Sequence, residues 1–297
     1  MTAHAFHGFT RNDTVYAKSA RFDGAHALTE EELFKLAPSI FATEAHESRS
    51  ERFVPIPTIE VVRGLQREGF SVVGAKQALT RVEGKAPFTK HALRLRKLDD
   101  DARYSVGDTV FEMMLKNAND GTCAYDLMAA MWRIRCLNSL VVKTGEIDSV
   151  KVRHNGRNVV NEVIEGTYRV VGEAERVLAA PQDWGRLQLN RDEQKALANA
   201  AHVLRFADGE GNVKTPIKPE QLLESRRASD RQNDLWTVWN TVQEHVIKGG
   251  DHGIGRDANN KVRRTTTRAV KGIDQDIKLN VALFMLGEEM ARLKSAA

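Results

Sequence analysis

The chain carries only two cysteines, Cys123 and Cys136, in 297 residues. That scarcity excludes a disulfide framework, and the separation of the pair does not match a structural zinc site. The two read as buried free thiols of a reducing cytoplasm. No apolar run approaches the roughly 20 residues that cross a bilayer. The opening MTAHAFHGFTRND has no charged leader followed by an apolar core, so no secretory signal is read. A Gly-x-Ser-x-Gly elbow, a nucleotide fingerprint and a Walker loop are all missing. The nine histidines include no H-x-x-x-H pair. The expectation is a cytoplasmic protein with no membrane partner, no metal, no cofactor and no assignable catalytic residue.

What is present is enough apolar material, 41%, for substantial cores, and a formal charge of +4 that is unevenly spread. Residues 1–150 hold 20 Lys and Arg against 20 Asp and Glu, and residues 151–297 hold 24 against 20. The excess lies in one stretch, where Arg256, Lys261, Arg263, Arg264, Arg268 and Lys271 face only Asp257. A focused patch points to a polyanion better than a high overall pI does.

Residues 1–28 show no apolar periodicity and read as an arm. Thr29 followed by Glu30, Glu31 and Glu32 predicts a capping box and a short helix. Thr58 reads as the cap of a second helix that ends at Gly69. The period then changes to two: Phe70–Val73, Ala75–Arg81, His91–Lys97, Val110–Lys116, Tyr125–Cys136 and Leu140–Val142 read as strands of an antiparallel meander. Ala129 and Ala130 leave part of the fifth open to helix. Helices are expected from Asn158 to Ala179, from the Asn190 and Glu193 capping box to Phe206, at Gln221–Arg227, from Asp230 to Ile247 and from Thr267 to Leu293. The fold class is α+β, with a mainly antiparallel sheet region at 29–157 and a helical region at 158–297 that includes a basic loop at 249–271.

Alternation along Thr89–Lys97 puts Lys90, Arg94 and Arg96 on one strand face and His91, Leu93 and Leu95 on the other. In the fifth strand Arg133 and Arg135 lie opposite Trp132, Ile134 and Cys136, and Lys116 shares a face with Glu112 and Met114. In suitable register the four arginines converge on one exposed surface that suits phosphate; an ordinary solvated sheet face is the plain alternative. The run Gly249-Gly250-Asp251-His252-Gly253-Ile254-Gly255 reads as a flexible loop whose glycines let a ligand approach. Trp236 and Trp239, one helical turn apart, read as core.

The succession Pro57-Thr58, Phe88-Thr89-Lys90-His91 with Arg94, Asn117 to Gly121, Arg133-x-x-Cys136-x-Asn138-Ser139, Arg153-His154, Leu222-Leu223 to Arg227, Leu235-Trp236 with Asn240, Gln243-Glu244, Gly249-Gly250, then Arg263-Arg264 and Arg268, resembles the phage and plasmid-like proteins grouped as domain of unknown function 932. The resemblance implies an origin on mobile elements and brings no catalytic residues. By architectural analogy, a cationic antiparallel sheet followed by a long helix is also the plan of single-strand annealing proteins of the Rad52 type. The leading expectation is a non-enzymatic, oligomeric protein that binds nucleic acid, favouring single-stranded DNA. Lys90, Arg94, Arg96, Arg133, Arg135 and the cations from Arg256 to Lys271 would hold the backbone. The alternatives are a protein-interaction factor in replication, partition or anti-defence, and a nuclease with Glu112, Asp120 and His91 around a metal.

Overall fold

The computed structural model describes residues 27–97, 109–133, 138–141, 150–152, 159–172, 174–256 and 260–296. Helix α1, Glu30–Leu36, starts at the expected capping box: Thr29 accepts from the Glu32 amide and Glu32 reaches back to the Thr29 amide. After a 3-10 turn at Pro38–Phe41 comes α2, Thr58–Arg67. Its N-cap is Pro57, not Thr58, because the Thr58 hydroxyl is used elsewhere: it lies 2.8 Å from His91 Nε2.

Strands β1, Phe70–Gln77, β2, His91–Lys97, β3, Thr109–Asn117, and β4, Tyr125–Arg133, form an antiparallel meander. Two short strands, β5 at Asn138–Val141 and β6 at Val150–Val152, then pair with different halves of β4. The first two expected strands are one, with an irregularity in the ladder between Val72 and Gly74. Ala129 and Ala130 are strand, and β6 has no counterpart in the sequence reading. The Asp99–Asp101 run, Arg135, Cys136 and almost all of the 1–28 arm lie outside the described residues. Cys123 is a half-buried free thiol.

Where one helix was expected from 158 to 179, helix is described on both sides of residue 173, as α3, Val159–Gly172, and α4, Ala174–Gly185. Helix α5, Arg191–Phe206, begins at the expected Asn190 and Glu193 box. The stretch expected as a short helix holds only a 3-10 turn, Pro219–Leu223. Helix α6, Leu235–Lys248, is capped by Asp234 rather than starting at Asp230, since Asp234 Oδ1 accepts from the Thr237 amide. The expected flexible loop is a hairpin of β7, His252–Arg256, and β8, Val262–Thr266. Helix α7, Ile273–Ser295, closes the fold.

One contiguous core runs through both halves, from Leu33 and Leu65 through Leu93, Leu115 and Leu127 to Trp184, Val242 and Phe284. Every residue of α6 from Leu235 to Ile247 is buried. Trp236 and Trp239 are core as expected, stacked at 5.9 Å between centroids, and the Trp239 indole donates to the Leu283 carbonyl at 2.7 Å. Among the described residues, no helix is long and apolar enough to cross a membrane.

Candidate nucleic-acid interface

Two cationic surfaces were legible in the sequence, one as a strand pattern and one as a local charge excess on an expected loop, and the fold treats them differently. On the sheet, alternation places Arg94 and Arg96 of β2 beside Glu112 of β3. Arg94 Nε donates to Glu112 Oε2 at 2.6 Å and its Nη2 to Oε1 at 2.8 Å, while Arg96 Nε donates to Oε1 at 3.1 Å. All three are buried, Glu112 completely. Helix α7 covers this face: Ile277 and Val281 pack on Met114, Met128 and Ala130. Its first-turn acids sit at the helix N-terminus, where negative charge is favoured, and meet Lys76, Lys90 and Lys116 of the sheet region. Asp274 pairs with Lys90, lies 3.4 Å from Lys116, and Asp276 lies 3.9 Å from Lys76. Burial alone would raise the Asp274 carboxyl, but Lys90 and Lys116 hold it below the usual range.

The expectation of an exposed arginine surface on the sheet is therefore corrected at Arg94 and Arg96. Both guanidiniums are bonded to one carboxylate of the neighbouring strand and their face is roofed by a helix, because two unpaired buried guanidiniums would be too costly. Arg133 ends β4, but its side chain lies outside the described residues, as does Arg135 altogether. The three residues considered for a metal are not brought together either. His91 lies on the opposite sheet face from Glu112, held between Ser39 Oγ at 2.9 Å and Thr58 Oγ1 at 2.8 Å. Burial pushes its pKa down to about 4, against smaller opposing effects of Thr89 and Asp120. Among the described residues no group of three His, Cys, Asp or Glu is placed to hold a metal ion.

The second surface stays open. Arg256, Lys261, Arg263, Arg264, Arg268 and Lys271 are all exposed. The first four sit on or beside the β7–β8 hairpin and the last two on the segment leading to α7. The glycines have a different task from the one the sequence suggested. A Cβ on Gly253 would lie 2.9 Å from both the Ile217 Cδ1 and the Pro216 Cγ atoms, so the strand backbone itself lies against those residues. Gly249 has a φ of 64°, and a Cβ there would lie 2.7 Å from the Thr267 carbonyl oxygen. They bring the hairpin against the protein rather than a ligand against the hairpin.

The hairpin base is pinned by a polar cluster that sequence reasoning did not single out. The Gly250 amide donates to Thr267 O and the Thr267 amide to Asp251 O, each at 2.9 Å. The Asp251 carboxylate accepts from the Thr267 hydroxyl at 3.0 Å and from Arg226 at 3.2 Å, and it pairs with His245 of α6. His245 Nε2 donates to Glu224 O at 2.8 Å. Burial would raise the Asp251 carboxyl, but His245, Thr267 and Arg226 together hold it below its ordinary value. Next to it, Arg227 forks onto Glu244 through two 2.8 Å bonds. Burial opposes ionisation of Glu244, yet Arg227 and Lys248 bring its pKa down to about 2. Arg205 donates to the Arg268 carbonyl at 2.9 Å and the Val270 amide to Ile247 O at 2.8 Å, tethering the following segment. Nothing local in the sequence joins Arg226 and Arg227 to the glycine-rich run; the contacts with Asp251 and with His245 and Glu244 of α6 do.

Residues 45–284 match a family described as a domain of unknown function, DUF932. Two Escherichia coli K12 proteins are similar over most of their lengths. UPF0380 protein YfjQ is 44% identical over 264 residues, 89% of this chain and 91% of its own. UPF0380 protein YafZ is 43% identical over 264 residues, with the same two shares. No solved structure matches the chain.

Proposed function

The chain belongs to the DUF932 family, and from that premise we propose that it is a non-enzymatic nucleic-acid-binding protein whose contact surface is the β7–β8 hairpin with the segment to Lys271. One observation carries this reading: six exposed cations with a single acidic residue among them project on an element whose base is rigidly held. Guanidinium groups match phosphate oxygens in geometry as well as charge. The sheet face, with Arg94 and Arg96 buried against Glu112, is left out of the interface. Cytoplasmic placement and assembly into a homo-oligomer belong to the same proposal, since several copies would multiply the contacts along one backbone.

Anisotropy of labelled single-stranded and duplex oligonucleotides across a salt titration tests it. Neutralising five or six phosphates gives a log-log slope on the order of −4 to −5, and the double change R263E and R264E should abolish binding at moderate salt. Absence of binding to either nucleic acid at low salt would overturn the reading and turn the patch toward an acidic protein surface.

A further inference from the structure

The register of the hairpin fixes which side chains share a face. His252 pairs with Thr266, Ile254 with Arg264 and Arg256 with Val262 on one face; Gly253 with Thr265 and Gly255 with Arg263 make the other. The glycine face lies on Pro216 and Ile217, so the first face is the one turned outward. Its centre is a checkerboard in which Ile254 and Val262 stand on one diagonal and Arg256 and Arg264 on the other. Ile254 is 69% exposed and Val262 60%, high values for β-branched side chains on a well-anchored ribbon. No Phe, Tyr or Trp stands on the hairpin, and Trp184, Trp236 and Trp239 are all buried. A platform for single strands relies on exposed aromatic rings that stack on splayed bases. On this ribbon the one ring is the small His252 imidazole at its base, and the centre of the face offers aliphatic groups flanked by guanidiniums.

Resting on the nucleic-acid reading above, we infer that the ligand is double-stranded and that the outward face of the β7–β8 ribbon lies in its major groove. The dimensions agree. Two strands about 4.8 Å apart, with their side chains, are roughly 10 Å across, which fits a major groove about 12 Å wide and not an undeformed minor groove of about 6 Å. Ile254 and Val262 then meet base edges, including thymine methyls, while Arg256 and Arg264 reach guanine edges or the flanking phosphates. Arg268 and Lys271, carried past the ribbon on the tethered segment, contact backbone outside the groove.

The test compares a duplex with one of its own strands, using the wild-type chain and the double variant I254S and V262S. The wild type should bind the duplex about tenfold more tightly. The variant should lose about tenfold on the duplex with an unchanged salt slope, because no phosphate contact is removed, and less than about twofold on the single strand. That retained single-strand binding shows that the hairpin still presents its cations. In the wild-type complex, dimethyl sulfate footprinting should protect guanine N7, in the major groove, and leave adenine N3, in the minor groove, reactive. Tighter binding to the single strand, equal losses on both ligands, or protection of adenine N3 would overturn the groove inference while leaving nucleic-acid binding intact. No binding to either ligand would remove both.

Discussion

The sheet face and the hairpin face both carry cationic side chains on antiparallel strands, and they end in opposite states. In the sheet, Arg94 and Arg96 are drawn into a buried cluster by Glu112, and Lys90, Lys116 and Lys76 by the first turn of α7. At the hairpin base Asp251 and Glu244 take up Arg226, Arg227, His245 and Lys248, and Arg256, Lys261, Arg263 and Arg264 beyond it are exposed. Cationic strands are covered by a helix in one place and exposed in the other.

The largest way to break that comparison is to remove the acid from the sheet. Glu112→Gln should cost about 3–5 kcal/mol of stability in urea unfolding, since two guanidiniums lose their buried partner. Arg264→Glu on the hairpin should stay within about 0.5 kcal/mol. Near-equal effects would mean that the two faces are not in different states.

Acid should weaken the sheet region next. With His91 at about 4 when folded against an ordinary 6.5, the unfolded chain takes up a proton between those values that the native chain refuses. Stability contributed by neutral His91 is thus fully present above 6.5 and lost as pH falls toward 4, by about 3 kcal/mol. Urea titrations at several pH values check this, and His91→Asn should flatten that part of the profile.

At the hairpin base, Asp251→Asn weakens the ties to His245 and Arg226 and should cost about 1–3 kcal/mol. Hydrogen exchange should quicken first at the amides of Gly250 and Thr267, sharpening the claim that this cluster holds the ribbon rigid. The smallest effect is expected at Asp274→Asn, below about 1 kcal/mol, because that carboxylate is more than half exposed and its pairs with Lys90 and Lys116 are screened.

Local signals were read correctly where the chemistry is local. The capping boxes at Thr29 and Asn190 and the limits of β2 depend on residues three or four apart, or on simple alternation. Misreadings fall where a distant residue decides. Thr58 resembles a cap until His91 claims its hydroxyl, and Gly253 and Gly255 resemble a loop until Pro216 and Ile217 lie against their backbone. The cover on the sheet was the most consequential gap: Asp274 meets Lys90 across 184 positions of chain, and no periodicity in β2 encodes that meeting. For the interface, the exposed cations were legible as a charge excess, whereas their placement on a ribbon and the aliphatic diagonal between them needed the strand register.

The most direct test of the central claim is the salt dependence of oligonucleotide binding by the wild-type chain and by R263E and R264E, measured side by side with Lys90→Glu on the covered sheet face. The account predicts a slope on the order of −4 to −5 for the wild type, loss of binding in the hairpin variant and an unchanged slope for Lys90→Glu. Retained binding in the hairpin variant, or no binding by the wild type at low salt, would contradict it.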